Sequence, residues 1–225
     1  MIEKLYSRRF ELFLSTQLCI LFGSLFMPRT WFENWMMPMF LLLNIALGVL
    51  LVAKRKKLFR FMLVILMISV VMAIMGFVNL EIENRVDYLK LALYFLFYAI
   101  VTIEIIKQVW KAKIVGKNVI LGLISGYISL GLLAFFLCLS IEIISPNSFS
   151  GIVSIPGVNT DTTEQLMYYS YVTLMTIGYG DILPITPIAQ KASVFIGLVG
   201  QFYLVIITAV VVGKYIQHNN FNAKD

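Results

Sequence analysis

The stretch of sequence that decides the fold is residues 176–181, which read Thr-Ile-Gly-Tyr-Gly-Asp. Gly178 and Gly180 stand at alternate positions, and glycine adopts backbone angles that residues with a Cβ atom resist. Successive carbonyl groups can therefore point the same way, toward one axis, while the side chains of Ile177 and Tyr179 turn outward and anchor the strand. A ring of such strands replaces the water shell of a cation with carbonyl oxygens.

A short helix is expected over residues 163–175, directly before that strand. Thirteen residues at 1.5 Å each reach about 20 Å, which is only part of the way across a bilayer core of about 30 Å. The chain must then return as non-helical backbone, which a membrane tolerates only where it is buried in protein or lines a water-filled cavity. Residues 163–181 therefore predict a re-entrant pore helix (163–175) followed by a selectivity-filter loop (176–181).

The composition places the whole chain in a membrane. Of its 225 residues, 60% are hydrophobic and 13% are charged, about half the charged fraction of a typical soluble domain. The apolar residues form six blocks long enough to cross a bilayer as helices: 10–28, 36–53, 59–80, 88–106, 118–144 and 188–213. The predicted fold is an all-α membrane protein with six transmembrane helices, a re-entrant pore helix and a selectivity-filter loop.

The charged residues indicate the orientation. With a cytoplasmic N-terminus and six alternating spans, 14 of the 18 Lys and Arg residues face the cytoplasm, in line with the positive-inside tendency. Eight of the 12 acidic residues, Glu142 and Asp181 among them, fall on the outer side, where they raise the cation concentration near a pore. We predict a multi-pass protein of the plasma (inner) membrane with both termini cytoplasmic. Its expected partners include membrane lipids but no nucleic acid, because the basic residues are scattered over short loops.

Few residues could support catalysis or hold a resident metal. The single histidine, His218, lies in a polar tail, and Cys19 and Cys138 fall inside apolar blocks without metal-ligand spacing. We therefore expect no enzymatic activity and no cofactor.

Residues 176–181, placed between a re-entrant helix and a final span, resemble the signature of the potassium channel family. The chain resembles in particular the six-transmembrane architecture shared with voltage-gated channels, and the similarity of the pore covers about residues 118–215. The resemblance implies that K+ is the permeant ion and that one stretch of the filter binds it: Thr176, with its hydroxyl, and Ile177, Gly178, Tyr179 and Gly180. Since one filter loop per chain cannot surround an ion, a homotetramer is implied as well.

Family members often carry two tryptophans where this chain has Tyr168 and Tyr169. The resemblance implies that these tyrosines support the filter, with Tyr169 in an aromatic cuff around Tyr179. Some members pair the position of Asp181 with a pore-helix glutamate, but Val172 stands at that position here. Tyr168 is therefore the candidate partner for Asp181.

The last span is rich in small and β-branched residues, and small residues let helices approach closely. Gly200 stands where family members often have a gating hinge, although a glycine needed only for packing accounts for it equally well. Toward the end of the same span, the inner helices are expected to converge at a gate near Val211–Tyr215.

The first four spans resemble a voltage-sensor domain that lacks gating charges. A working sensor needs several basic residues along its fourth helix, whereas this one holds only Lys90 and Glu104, with Lys107 just beyond its end. Steep voltage dependence is therefore not expected. The predicted domains are residues 1–106, an interfacial linker helix over 107–117, and a pore domain over 118–225 with an outer helix at 118–144 and an inner helix at 188–213.

A passive, weakly voltage-dependent potassium channel is the leading interpretation. A regulatory or silent subunit and a channel gated by an unidentified ligand or lipid are the alternatives. A potassium transporter is less consistent with the sequence, because related transporters carry several imperfect filter loops in one chain, whereas this chain carries one complete signature.

Overall fold

The computed structural model describes residues 6, 8–28, 31–77, 85–112, 114–152 and 161–222. These residues are helical apart from short connections and one two-stranded ladder. The chain forms two compact units, residues 1–101 and 102–225, and the boundary falls inside the fourth long helix. The end of the predicted third span (78–80) and both chain termini lie outside the described residues.

The first unit consists of apolar helices that end at turns or at basic residues. Helix α1 covers Arg9–Phe22 and continues as a 3-10 turn at Gly23–Leu25. A π-helical turn at Phe32–Met36 leads directly into α2, Met37–Leu51, which has a proline at its start, where a missing N–H costs nothing. Helix α3 covers Lys56–Phe77, and α4, Arg85–Lys111, runs from this unit into the second.

A buried network of neutral polar groups joins three of these helices. The Asn44 amide of α2 donates to Thr16 Oγ1 at 2.7 Å and to the Phe13 carbonyl at 3.2 Å, both on α1. The Tyr98 hydroxyl of α4 donates to Asn44 Oδ1 at 2.9 Å. Asn44 and Tyr98 are fully buried, so these bonds satisfy groups that could not reach water.

The second unit places a short helix between two long ones. The elements follow the order α5 (Lys117–Ile144), β1 (Phe149–Ser150), α6 (Asp161–Leu174), β2 (Leu183–Pro184), α7 (Pro187–Phe202), a π-helical turn (Tyr203–Ile207) and α8 (Thr208–Asn222). Helix α7 starts where the sequence indicates, because the Thr186 hydroxyl accepts from the Ala189 N–H and Pro187 occupies the first helical position.

Four helices of the described residues are long and apolar enough to cross a membrane. They contain Lys56–Met75, Tyr88–Lys111, Lys117–Ile144 and Pro187–Ile216, the last formed by α7, the π-turn and α8 together. The prediction of an α-helical membrane protein is therefore confirmed. Helices α1 and α2, with 14 and 15 residues, are shorter than a standard span, so the count of six spans stays a prediction.

The interfacial helix predicted over 107–117 is wrong as a separate element. Residues up to Lys111 continue α4, and the chain is non-helical at Val115 and Gly116 before α5 begins at Lys117. Gly116 adopts an extended conformation there, and glycine inside a helix costs about 1 kcal/mol relative to alanine. The apolar and basic residues that indicated an independent helix belong partly to the end of α4.

The end of α4 is capped by a lysine from α8. Lys214 Nζ donates to the backbone carbonyls of Trp110 and Ala112, the latter at 2.9 Å. The last carbonyls of a helix lack partners within the helix and carry partial negative charge, so an ammonium group stabilises them. The segment between α4 and α5 is thereby attached to the end of the inner helix.

Tyrosine hydroxyls connect α5 to α6 and to the inner helix. Tyr171 Oη on α6 donates to the Ile128 carbonyl at 2.7 Å, and its ring occupies the space left by Gly131. Tyr203 Oη donates to the Leu123 carbonyl, also at 2.7 Å. In a low-dielectric medium such bonds are strong, so α5 is the frame against which α6 and α7 are positioned.

Candidate functional site

The candidate site starts where α6 ends. The helix covers Asp161–Leu174, two residues earlier at its start than predicted. Its last turn tightens, since Thr176 N donates to Thr173 O at 3.0 Å and Ile177 N donates to Val172 O at 2.9 Å. These bonds satisfy carbonyls at the helix end and set the direction in which the chain continues as non-helical backbone.

Alternate residues of this backbone have left-handed angles. The φ values are 57° at Thr176, 58° at Gly178 and 82° at Gly180, and Ile177 and Tyr179 between them are not left-handed. Such alternation turns successive peptide planes in the same sense, so that their carbonyls can line one side. The glycines were expected to do this, but Thr176 was not, because a β-branched residue resists positive φ unless its surroundings hold it there.

One side of the segment is open in a single chain. No atom of the chain lies within 4 Å of the position that a Cβ would take at Gly178 or Gly180. The side chains of Ile177 and Tyr179 are 46% and 71% exposed. One chain therefore provides one wall of the site and leaves the remaining walls open.

The outer end of the segment is held by a tyrosine–aspartate pair. Tyr168 Oη donates to Asp181 Oδ2 at 2.7 Å, which is the pairing expected from the sequence, and Ile182 N donates to Asp181 Oδ1 at 3.1 Å. The bond from Tyr168 holds the pKa of Asp181 below its ordinary value of 3.8. The same bond raises the pKa of Tyr168 to about 12, because the hydroxyl proton is shared with a carboxylate.

A glutamate at the end of α5 organises the loop that follows. Its carboxylate, Glu142, accepts backbone N–H groups from Asn147 at 2.7 Å, Ser148 at 2.9 Å and Phe149 at 3.2 Å. The sequence placed Glu142 among the outer acidic residues, where a general effect on cation concentration was expected. Three amide bonds to one carboxylate give it a structural role that no local pattern indicated.

Strands β1 and β2 tie this loop to the chain that follows the filter segment. They pair antiparallel, with Phe149 opposite Pro184 and Ser150 opposite Leu183. The loop therefore reaches the outer end of the candidate site through backbone hydrogen bonds rather than through side chains alone.

Gly151 brings the same loop against the last residue of the signature. Its φ is 87°, and a Cβ there would lie 2.0 Å from the carbonyl oxygen of Asp181. Only glycine permits both the left-handed backbone and this close approach. Gly151 was not singled out in the sequence, because nothing near it in the chain indicates the contact.

The second pore-helix tyrosine is directed toward α7. Tyr169 Oη lies 2.5 Å from Ser193 Oγ, and since Ser193 donates to the Ala189 carbonyl, its oxygen accepts from Tyr169. The Tyr169 ring packs edge-on against Phe149, with centroids 5.1 Å apart. Within one chain Tyr169 therefore fixes α6 to α7, and its place in a cuff around Tyr179 stays a prediction.

Gly200 packs against the end of α6. A Cβ at this position would lie 2.2 Å from the Leu174 carbonyl oxygen and 2.9 Å from Leu174 Cδ1. The helix is regular through Gly200 and continues to Phe202, after which the π-turn begins. Close packing is thus the observed property of this glycine, and a hinge there stays a prediction.

Protein side chains do not offer a metal centre in the part of the chain that the structure describes. No three His, Cys, Asp or Glu residues come together there in a way that could hold a metal ion. The ion-binding groups expected from the sequence are backbone carbonyls and a threonine hydroxyl, which suit a weakly held permeant ion rather than a resident one.

Comparison with known proteins gives one match. Residues 143–217 match the model of a protein family described as "Ion channel", and this range contains the filter segment and most of the inner helix. No curated protein and no solved structure matches the chain. The match and the long apolar helices together indicate a membrane protein that carries an ion-channel domain, and they favour a channel over an enzyme.

Proposed function

We propose that this protein is the subunit of a K+-selective channel in which four copies surround one pore. The observation that carries the proposal is the left-handed backbone at Thr176, Gly178 and Gly180, alternating with Ile177 and Tyr179, at the end of a short helix. In this arrangement the carbonyls of the first four of these positions along the chain, with the threonine hydroxyl, replace the water around K+.

The openness of the single chain supports a tetramer. One filter segment cannot surround an ion, and Tyr179 is largely uncovered by its own chain. The inner helix also exposes a run of large apolar side chains: Val194, Phe195, Leu198, Phe202 and Val205. Three further copies in a closed ring would supply both the other walls of the pore and contacts for these side chains.

Six spans with both termini in the cytoplasm are the proposed topology in the plasma (inner) membrane. Helix α2 reaches spanning length when the π-turn before it is included, since the helical path from Phe32 to Leu51 is then about 20 residues. Helix α1 is lengthened in the same way by its 3-10 turn. The basic residues at the start of α3 and the end of α4 then lie on the cytoplasmic side, as the positive-inside tendency favours.

Weak or absent voltage dependence is part of the proposal. The middle of α4 is apolar, and Glu104, toward its end, is 4% exposed. Each charge that crosses the field contributes about 2.3 kcal/mol per 100 mV, so the one or two charges here cannot make opening steep. The first unit is instead held together by neutral groups around Asn44, which suits a rigid scaffold.

The test is ion flux through purified protein in liposomes, with K+ or Na+ as the only permeant cation and the membrane potential stepped. We expect K+ flux well above Na+ flux, with little change across the voltage range. Gly178→Ala should abolish selectivity, because alanine resists a φ of 58°, whereas Gly213→Ala, which has open space and no positive φ, should behave as the wild type.

Two results would contradict the proposal. Equal K+ and Na+ flux would exclude a potassium filter, and no flux from folded tetramers would favour a regulatory or silent subunit. Selective flux that rises steeply with voltage would leave the filter in place but overturn the interpretation of α4.

A further inference from the structure

Positive charge is concentrated where α2 leads into α3, in the unit that does not contain the filter. Lys54, Arg55, Lys56, Lys57 and Arg60 are all exposed, and the first turn of α3 holds no acidic residue. The start of a helix already carries partial positive charge, so the dipole of α3 adds to this concentration instead of offsetting it. An anion bound at this end of the unit would lower the repulsion.

A stripe of exposed apolar side chains runs along α3 from the same end. Its members recur every three or four residues, which places them on one face of the helix. They are Phe61, Val64, Met67, Ile68, Val71 and Ile74, with exposed fractions between 38% and 63%. Lys57 and Arg60 precede Phe61 and Val64 by four residues each, so both cations stand at the head of this α3 stripe.

The dimensions of the α3 stripe match one leaflet. From Phe61 to Val71 the helix rises about 15 Å, at 1.5 Å per residue. Half of a bilayer core of about 30 Å is the same length. A cationic head and an apolar stripe of one-leaflet length on one helix face form a surface complementary to a phospholipid with an anionic headgroup.

We propose that Lys57, Arg60 and the α3 stripe bind an anionic phospholipid, with its phosphate at the two cations and one acyl chain along the stripe. The lipid belongs to the leaflet on the side where α3 begins. Lys54 does not take part, since its ammonium lies 5.1 Å from the centroid of the Tyr6 ring, in a contact with the first unit's N-terminal segment. The site lies outside the filter, so it stands or falls independently of the proposed conduction.

The test uses the full chain in detergent, titrated with phosphatidylglycerol or with phosphatidylcholine of the same acyl chains, and counts bound lipids by native mass spectrometry. We expect preferential binding of phosphatidylglycerol. Each Lys or Arg near a membrane surface contributes roughly fivefold to anionic-lipid binding, so Lys57→Gln with Arg60→Gln should weaken it by about 25-fold.

The matched control is Arg8→Gln with Lys54→Gln, which removes the same charge from exposed positions off the α3 stripe. It should leave binding within about twofold of the wild type. If the first double variant does not fold, Lys57→Gln alone should show a loss of about fivefold, and Lys57→Arg should restore binding.

Three results would overturn the proposal. An equal loss in both double variants would mean diffuse attraction without a site. Displacement of the lipid by glycerophosphoglycerol, which has the headgroup but no acyl chains, would mean a site for a soluble anion. Equal binding of the two lipids by the wild type would mean that another copy of the chain covers the α3 stripe.

Discussion

Gly200→Ala tests how the inner helix positions the filter. The added Cβ would lie 2.2 Å from the Leu174 carbonyl oxygen, whereas ordinary van der Waals contact begins at 3.4 Å. The helix and the end of α6 must therefore separate by about 1.2 Å. Leu174 lies two residues before Thr176, so this displacement reaches the first expected ion-binding position.

The magnitude follows from a comparison with Gly197→Ala on the same helix. At Gly197 the nearest atom is the Thr173 carbonyl oxygen at 3.9 Å, so a methyl group fits without movement. Both substitutions gain about 1 kcal/mol of helix propensity. The difference between them isolates the steric cost at Gly200, which we place at about 2–3 kcal/mol because the obstructing atom belongs to the backbone.

Denaturant unfolding of both variants in detergent, with the K+ to Na+ flux ratio of each, measures this directly. We expect Gly197→Ala to be as stable as the wild type or slightly more stable, with unchanged selectivity. Gly200→Ala should be less stable than Gly197→Ala by that amount and should lose selectivity. Equal stability of the two variants would refute the packing argument, and a changed open probability with intact selectivity would favour a hinge at Gly200.

Three further predictions concern other parts of the chain. Glu142→Gln loses the charge that accepts three amides, so unfolding should become easier by about 2 kcal/mol, as measured with denaturant. Asn44→Leu deprives the buried Tyr98 hydroxyl of its Asn44 acceptor and should cost about 2 kcal/mol, with an unchanged flux ratio. The thermal stability of the tetramer should be constant from about pH 4 to 10. The lowered pKa of Asp181 makes its contribution disappear as the pH falls below 3.8, and the raised pKa of Tyr168 makes its contribution disappear between pH 10 and about 12. Tyr168→Phe should remove both pH dependences from the melting curves.

The parts of the site that could be predicted are those where residue type alone dictates geometry. Gly178 and Gly180 indicate left-handed backbone because other residues resist it, and both adopt it. Tyr168 was the candidate partner of Asp181 by its place on the pore helix, and the two side chains meet. In each case the information lies within about 15 residues of sequence.

The parts that could not be predicted depend on contacts between distant segments. Glu142 reads as one more outer acidic residue until the loop folds back onto its carboxylate. Gly151 reads as a turn glycine until its backbone meets Asp181, 30 residues later in the chain. The linker helix failed for the opposite reason: the local pattern was present, but α4 extended through Lys111 and Gly116 then ended helical geometry.

The inner helix carries an irregularity that residue types do not reveal. A hinge was placed at Gly200 because glycine is visible in a sequence, yet π-helical bonding occupies Tyr203–Ile207, which contains neither glycine nor proline. A π-turn accommodates one extra residue, which corresponds to about 100° of rotation at 3.6 residues per turn. Side chains beyond it, including the predicted gate at Val211–Tyr215, therefore lie about 100° around the helix from where uninterrupted periodicity would place them. Because the Tyr203 hydroxyl is held by the Leu123 carbonyl of α5, this change of register is anchored to the outer helix. The face that α8 presents to the pore is consequently set by the π-turn and its tyrosine, not by Gly200.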